Sequence, residues 1–391
     1  MRKLLPFHLR TFLLLVFLLV GVGLCSAQKR LVLIDQDGSG PGGSNQMSIL
    51  ALLQAPQVRV LGITMVTGNA WRDEETLHTL RMLELTGHGD VPVARGAVFP
   101  LVRTERETKL EEQFYGKVAW LGAWGEGQTT LVENAAGVVT PMVEGQFKEH
   151  GAYEIPPLAE GMPTLKAIDE DASHFLIRQV RAHPHEVTIY AAGPLTNIAL
   201  AIGIDPEFAS LTKGLVVMGG SLNPLTDDPE FATSPRHEFN FWFDPEAAHM
   251  VLRADWPRVD VTTVDVSIKA PFTEKMLDEI AKSQTATAKY IAAWSQERYY
   301  MWDELAACAW LEPALITKEE TEYMDVDLSH GPSYGDTLTW TEKFKPVTGV
   351  RLVHAQLDLD LPRFEKMFVG LMTTCGGAAG ACTPTGSGKV E

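Results

Sequence analysis

The chain has 391 residues, of which 45% are hydrophobic and 21% are charged, and its formal net charge at pH 7 is −17. This length is sufficient for one large α/β domain with an extensive core. The acidic balance argues against binding to nucleic-acid phosphates or anionic membranes, so we expect a small neutral or cationic ligand and no nucleic-acid partner.

The first 27 residues have the three regions of a secretory signal peptide. Three basic residues precede an uncharged apolar run from Phe12 to Leu24, and small residues end at Ala27. We therefore predict cleavage after Ala27, a secreted or periplasmic location and no membrane association of the mature protein, with an uncleaved anchor as the alternative. Removal of three positive charges lowers the formal net charge from −17 to −20.

The most informative segment is the apolar run 31–34, which is followed by Asp35 and Asp37 and then by a Gly/Pro/Ser loop. The run predicts a buried strand of a parallel sheet, and Ser44 and Asn45 are good cap residues for the helix predicted from residue 47. The two acids therefore lie at the carboxyl end of a strand, where open α/β sheets bind ligands. Because neighbouring carboxylates repel each other, we expect a cation or a proton between them.

Other interpretations of this segment are weaker. An EF-hand calcium loop would require a glutamate where Gln46 stands, and it would follow a helix instead of a strand. A P-loop would require Gly-Lys-Ser/Thr, which the segment lacks. An acidic, solvated turn without a ligand stays open as the alternative at this point.

Later segments repeat the alternation of strand and helix. Apolar strands are predicted at 58–66, 187–190, 215–218 and 259–264, each ending at glycine or polar residues, and a helix is predicted at 74–85. This order indicates an open, mostly parallel, doubly wound sheet in a single large domain. The strand ends would bring together Asp35, Asp37, Asn69, Ala192, Gly219 and Asp265.

Two long insertions, 97–165 and 223–237, are candidates for lids over the binding edge. After the second insertion, Glu238 and Asn240 are predicted to point the same way from an extended segment, so both could bind one polyhydroxyl ligand. The alternative is that they cap the next helix. Farther along, Asp303 follows Trp302 at the start of an apolar helix, where aspartate is usually an N-cap.

The domain is predicted to span residues 28–370, followed by a flexible Gly/Thr-rich tail at 371–391. The tail contains Cys375 and Cys382, and both a local disulfide and two free thiols stay open.

The motifs in chain order resemble the inosine–uridine-preferring nucleoside hydrolase family over roughly residues 30–325. Each motif is weak alone, but seven in register are specific. They are Asp35-x-Asp37, Thr67-Gly68-Asn69, Asp90-Val91-Pro92-Val93, Gly193-Pro194-Leu195-Thr196-Asn197, Met218-Gly219-Gly220, Glu238-Phe239-Asn240 with Asp244-Pro245-Glu246-Ala247, and Trp302-Asp303.

The resemblance implies an open α/β fold that uses one Ca2+ ion to hydrolyse the N-glycosidic bond of ribonucleosides. It implies that Asp37 is both a calcium ligand and the base that activates water, with Asp35 nearby as a ligand or structural partner. Asp303 and the backbone carbonyl of Ala192 are the further implied calcium ligands. The ribose hydroxyls would be held by Asn69, Glu238 and Asn240. Such a hard cation prefers oxygen ligands and lowers the pKa of water.

Two positions depart from the family pattern. Ser44 and Asn45 stand where the family has two adjacent aspartates, one binding a ribose hydroxyl and the other calcium, so Ser44 is the candidate substrate ligand and Asn45 the candidate metal ligand. Trp302 stands where many members have a histidine that protonates the leaving group. This substitution resembles the purine-specific branch, in which aromatic stacking supports the departing base.

We therefore predict an exported, calcium-dependent N-ribohydrolase with a preference for purine nucleosides. The first alternative is a degenerate family member that binds a nucleoside or sugar without turnover. The second is a metal-free glycosidase with two carboxylates, which explains Glu238 and Asn240 poorly. The preferred base and the oligomeric state, including a homo-oligomer, stay open.

Overall fold

The computed structural model describes residues 28–125, 131–133, 139–141, 150–295, 299–347 and 349–374. The predicted signal peptide, Cys375 and Cys382 lie outside the described residues. No helix in the described part of the chain is both long and apolar enough to cross a bilayer.

A nine-stranded sheet forms the centre of the described structure, in the order β10-β9-β11-β8-β7-β6-β1-β2-β3. Only β9 runs antiparallel to its neighbours β10 and β11, and the remaining pairs are parallel. The strands are β1 Arg30–Gln36, β2 Val58–Met65, β3 Val93–Arg95, β6 Val187–Ala192, β7 Gly214–Met218, β8 Val259–Thr262, β9 Ile316–Val326, β10 Thr337–Trp340 and β11 Arg351–Leu359. Strands β4 Leu131–Glu133 and β5 Val139–Pro141 pair separately as an antiparallel ribbon.

Helices cover both faces of the sheet, as in a doubly wound fold. The helices are α1 Gly43–Gln54, α2 Arg72–Thr86, α3 Glu105–Tyr115, α4 Ala172–Ala182, α5 Thr196–Ile204, α6 Pro229–Thr233, α7 Phe239–Phe243, α8 Pro245–Leu252, α9 Val264–Ser267, α10 Glu274–Ala281, α11 Ala286–Trp294, α12 Trp302–Leu311 and α13 Leu361–Thr373. One apolar core joins the sheet to α1, α2 and α10–α13, and a second joins it to α4, α5 and α8. A third cluster lies around Trp124 and Phe243.

Each predicted strand and helix named above is present in the structure, and the prediction of a single, mostly parallel α/β domain is confirmed. Strand β6 is buried along its whole length, as its predominantly apolar sequence predicts for a central parallel strand. Helix α13 ends at Thr373, so its last three residues lie within the predicted tail. Because the parallel strands share one direction, the carboxyl ends of β1, β2 and β6 meet at one edge.

Alternation along β1 sends neighbouring side chains to opposite faces of the sheet. Asp35 lies on the face covered by α5, where Asn197 donates from Nδ2 to Asp35 Oδ1 over 2.8 Å. The same amide accepts a hydrogen bond from the backbone N–H of Ala97 at 2.8 Å and donates to the carbonyl of Met65 at 3.2 Å. Burial raises the pKa of Asp35 to about 7, while hydrogen bonds from Asn197 and Thr64 oppose this shift.

We predict that Asn197→Ala lowers the free energy of unfolding by about 3 kcal/mol, because it leaves several buried polar groups without a partner. Equilibrium urea denaturation measures this loss. Asn223→Ala, at an exposed position, is the control and should change the free energy by less than about 0.5 kcal/mol. Equal effects of the two substitutions would show that Asn197 does not join these elements.

Candidate active site

Asp37 is the first residue after β1, and its side chain is completely buried. Its Oδ1 accepts a hydrogen bond from Asn45 Nδ2 at 2.9 Å, and its Oδ2 accepts one from the backbone N–H of Asn69 at 3.0 Å. Gly68 allows this approach, because a Cβ atom there would lie 2.2 Å from Asp37 Oδ2. The carboxylate is therefore fixed between the ends of β1 and β2.

Asn45, in the first turn of α1, reaches back to Asp37. Its Nδ2 atom lies 2.9 Å from Asp37 Oδ1, 3.0 Å from Gln36 Oε1 and 3.0 Å from Asp303 Oδ2. An amide nitrogen has only two hydrogens, so three oxygens compete for them. Oxygen atoms of the adjacent residues Gln36 and Asp37 and of the distant Asp303 thus converge on a single point.

The Gly/Pro loop between Asp37 and α1 is held by hydrogen bonds that return the chain to this point. Gln46 donates from Nε2 to the carbonyl of Gly38 at 3.0 Å. The hydroxyl of Tyr290 donates to Gln46 Oε1 at 3.0 Å and accepts from the backbone N–H of Gly42 at 3.0 Å. These contacts hold the Gly/Pro loop in a conformation that places Asn45 beside Asp37.

Asp303 lies in the first turn of α12, where the positive end of the helix dipole favours an anion. The N-cap is Met301, two positions earlier, so Asp303 does not have the N-cap role that is usual for aspartate at a helix start. Asp303 Oδ2 accepts a hydrogen bond from Gln36 Nε2 at 3.1 Å in addition to that from Asn45. The hydroxyl of Tyr190 donates to the backbone carbonyl of Asp303 at 2.7 Å and fixes the helix on β6.

Burial and mutual repulsion control the ionisation of the two acids. Burial raises the pKa of Asp37 well above its usual value, and the charge of Glu238 raises it further, against the hydrogen bonds from Asn69. Burial also raises the pKa of Asp303, and the charges of Asp37 and Glu304 add to this shift. A positive charge at the point where their oxygens meet would oppose all of these shifts.

The chemical type of the ligand atoms at this point suits a hard cation. Two carboxylates and the amide oxygen of Gln36 meet there, and such oxygens are the ligands that calcium and magnesium prefer. Among the described residues, however, no group of three or more His, Cys, Asp or Glu side chains gathers to hold a metal ion. Asn45 contributes a neutral amide between the two carboxylates.

Asp35 has no described contact with this cluster, so its role as a metal ligand stays a prediction that its contacts do not favour. Its described partners, Thr64 and Asn197, lie on the face of the sheet opposite Asp303. The alternative role of structural partner is the one that the contacts show. Gln36, which the sequence analysis did not select, takes the position toward Asp303 instead. The alternation of side chains along a strand was the available signal, because Gln36 and Asp35 must face opposite ways.

Ser44 is occupied by contacts within the protein. Its hydroxyl donates to Glu304, and it accepts a hydrogen bond from the backbone N–H of Asp303 at 3.1 Å. The predicted contact between Ser44 and a substrate would have to replace the bond to Glu304. These contacts instead join α1 to α12 and fix the distance between Asn45 and Asp303.

Glu238 caps α7, and the extended arrangement predicted for Glu238 and Asn240 is wrong. The Glu238 carboxylate accepts from the backbone N–H groups of Asn240 at 2.8 Å, Phe241 at 3.0 Å and Gly220 at 3.0 Å. Asn240 lies within the helix and donates from Nδ2 to the carbonyl of Met218 at 3.1 Å. Both side chains nevertheless lie at the carboxyl edge, where the charge of Glu238 acts on Asp37 and Asp303.

The remaining predicted residues lie around the same edge. Ala192 ends β6 beside Gln36, to which it is paired in register. Asn69 donates from Nδ2 to Asn45 Oδ1 at 3.4 Å. Trp302 is half-buried, with its ring centroid 5.7 Å from that of Phe231 and 5.2 Å from that of Tyr300. Phe231 belongs to the predicted lid 223–237, which therefore packs against the site.

The backbone of the second insertion is anchored away from the cluster. Asp265 accepts hydrogen bonds from the backbone N–H groups of Leu222 and Asn223, each at 2.9 Å. Asp265 thus fixes the start of the insertion and has no described contact with Asp37.

Comparison with known proteins identifies the class to which this fold and site belong. The family model described as "Inosine-uridine preferring nucleoside hydrolase" matches residues 32–366. The chain belongs to this family.

Two curated relatives illustrate the range of named specificities. The chain is 32% identical over 260 residues to "Probable uridine nucleosidase 1" of Oryza sativa subsp. japonica, covering 66% of each chain, just under two thirds of the rice protein. It is 30% identical over 239 residues to "Pyrimidine-specific ribonucleoside hydrolase RihA" of Citrobacter koseri, covering 61% of each chain.

Solved structures share the fold. "Plant nucleoside hydrolase - PpNRh1 enzyme" superposes with a TM-score of 0.66 at 24% identity, covering 88% of this chain and 99% of that one. "Purine-Preferring Ribonucleoside Hydrolase from Gardnerella vaginalis" superposes with a TM-score of 0.66 at 22% identity, covering 88% and 98%.

We predict that Asn45→Asp lowers the free energy of unfolding by at least about 2 kcal/mol in the presence of a chelator, because it adds a third carboxylate to a buried pair and removes their shared donor. Urea denaturation at pH 7 measures this loss. Asn223→Asp makes the same charge change at an exposed position and serves as the control. An unchanged stability of Asn45→Asp would place Asn45 away from Asp37 and Asp303.

Proposed function

We propose that this protein is an exported, calcium-dependent hydrolase that cleaves the N-glycosidic bond of ribonucleosides and releases ribose and free base. The observation that supports it most directly is the buried Asp37 carboxylate, which lies with Asp303 and Asn69 at the carboxyl edge of the sheet. Family membership supplies the reaction class, and the named specificities of the relatives belong to those proteins.

Asp37 is suited to the role of general base. A base works best when its pKa lies near the working pH, and burial shifts the pKa of Asp37 in that direction. In the proposed reaction Asp37 accepts the proton of the water that attacks the anomeric carbon of ribose. Asn69, Glu238 and Asn240 bind the ribose hydroxyls, and Trp302 lies against the departing base.

A calcium ion would be held by Asp37, Asp303, the carbonyl oxygen of Ala192 and the amide oxygens of Asn45 and Gln36. When bound, calcium lowers the pKa of water and holds the ribose diol beside it. The present Asn45 donor occupies the point where the oxygens meet. Its side-chain amide must therefore turn, presenting Oδ1 instead of Nδ2, before all five groups can act as ligands.

We predict that Asp37→Asn reduces base release from inosine at least about a hundredfold, the usual scale for loss of a general base. The substitution conserves shape, so folding is preserved while the proton acceptor is lost. Free base is measured by chromatography for the mature protein with calcium present. Asp90→Asn, at an exposed position, is the control and should keep full activity. Full activity of Asp37→Asn would eliminate Asp37 as the base.

The second arm of the Asn45→Asp experiment tests calcium dependence. The substitution restores a negative charge at the cation and should tighten calcium binding at least about tenfold, or roughly 1.4 kcal/mol. Calorimetric titration of calcium into the wild type, Asn45→Asp and the Asn223→Asp control measures the change. Equal calcium affinities in all three proteins would contradict calcium binding at Asn45.

Trp302 supports a preference for purine nucleosides, because a two-ring base stacks over more of the indole than a pyrimidine does. Such stacking contributes about 0.5–1.5 kcal/mol beyond burial, or roughly 2- to 13-fold in kcat/KM. We therefore predict that inosine and guanosine are cleaved faster than uridine and cytidine, and that Trp302→Ala removes most of the difference. Equal rates for the two classes in the wild type would refute the preference.

The sequence of the first 27 residues supports the proposal of export. We predict that protein recovered from the secreted or periplasmic fraction begins at Gln28, because the charged start, apolar core and small-residue exit occur together. Intact-mass spectrometry tests this directly. A retained Met1 or a lipid on Cys25 would contradict cleavage after Ala27.

Binding without turnover is the second candidate function. It is favoured by the hydrogen bonds that Asn45 donates to both acids, because they stabilise the pair without a metal ion. Tight nucleoside binding with no base release, in the presence of calcium, would replace the first proposal with this one.

A further inference from the structure

The side chain of Asn69 has a partner that comes from the first insertion. Trp120 donates from its indole Nε1 to Asn69 Oδ1 at 2.7 Å, across 51 positions of sequence. On its other side, the Asn69 amide donates from Nδ2 to Asn45 Oδ1 at 3.4 Å. The Asn69 side-chain amide therefore links the first insertion to the cluster around Asp37.

We propose that Trp120 is a positioning residue for ribose binding and that it acts by fixing the orientation of the Asn69 amide. This inference rests on the proposed function, in which Asn69 binds a ribose hydroxyl. The two ends of an asparagine side chain are nearly equal in shape but opposite in hydrogen bonding. An indole N–H is a donor only, so the end that faces Trp120 must be Oδ1, and the Nδ2 donor is directed toward Asn45 and the sugar site.

The backbone that carries Trp120 is itself fixed to the turn that carries Asn69. Ala123 donates from its backbone N–H to the carbonyl of Gly68 at 2.9 Å. Gly122 has a φ of +56°, and a Cβ atom there would lie 2.2 Å from the same carbonyl oxygen. The segment thus approaches Gly68 as closely as only glycine permits.

Aromatic packing supports the other end of this segment. Trp124 is buried and stacks on Phe243 of α7 with a centroid separation of 4.3 Å and an interplanar angle of 24°. Helix α7 is the helix that Glu238 caps. The Trp120 segment therefore connects two predicted ribose-binding elements, the turn at Asn69 and the helix after Glu238.

Trp120→Phe keeps an aromatic ring and removes the N–H donor, so it tests orientation separately from packing. We expect KM for inosine to rise about 3- to 10-fold, the scale of one neutral hydrogen bond, while kcat changes less than about twofold. Trp256→Phe is the matched control, because Trp256 also donates from Nε1 to a carbonyl, that of Val251 at 2.8 Å, far from the site. It should leave KM unchanged.

A double-mutant cycle tests whether Trp120 acts through Asn69. In the Asn69→Ala background, Trp120→Phe should change KM by less than about 1.5-fold, because its only proposed target is absent. A KM that is unchanged by Trp120→Phe, or effects that multiply in the double variant, would overturn the inference.

A spectroscopic arm does not depend on turnover. In the 1H–15N spectrum of the indole groups, Asn69→Ala should shift the Trp120 signal, assigned by its loss in Trp120→Phe, and leave the Trp256 signal in place. An unmoved Trp120 signal would overturn the contact. If the wild type releases no base, the proposed function fails, and the same cycle is measured as the dissociation constant of a C-nucleoside. Absence of binding would then overturn the inference as well.

Discussion

The burial of two carboxylates beside each other is the constraint on which the site depends. Asp37 and Asp303 come from opposite ends of the chain, and both are almost fully removed from water. Their charges are stabilised by backbone and amide donors, by the N-terminal turn of α12 and, centrally, by the Asn45 amide. Neighbouring contacts hold this arrangement in place. The hydrogen bond between Tyr290 and Gln46 positions the loop before Asn45, and that between Ser44 and Asp303 joins α1 to α12.

Much of the fold can be predicted from local patterns of apolar and polar residues in the sequence. Predominantly apolar runs bounded by glycine and polar residues identify parallel strands, because such strands are buried on both faces. Their order along the chain alternates with helices, which predicts the doubly wound topology and brings Asp37, Asn69 and Ala192 to one edge. These positions can be predicted without tertiary contacts, because parallel strands run in the same direction and their carboxyl ends lie at the same edge of the sheet.

The orientation of individual side chains was harder to predict. The alternation of side chains along β1 predicts that Asp35 and Gln36 face opposite sides of the sheet. It does not predict that the neutral Gln36 side chain contacts Asp303. Glu238 and Asn240 were expected in an extended segment, yet the backbone N–H groups of Asn240 and Phe241 make Glu238 a helix cap. The contact between Trp120 and Asn69 spans a long insertion without regular periodicity, so only the folded structure brings the two together.

The central claim is that a calcium ion binds at the point where Asp37, Asn45 and Asp303 meet and that ribose binds beside it. A crystal structure of the mature protein soaked with calcium and a C-nucleoside, whose base is joined to ribose by a carbon–carbon bond, tests it most directly. The account predicts the ribose between Asn69 and Asp303, with calcium contacting Asp37 and with the Oδ1 atom of Asn45 turned toward the ion. A nucleoside bound elsewhere, or an Asn45 amide that still donates to both acids beside a bound ribose, would contradict it.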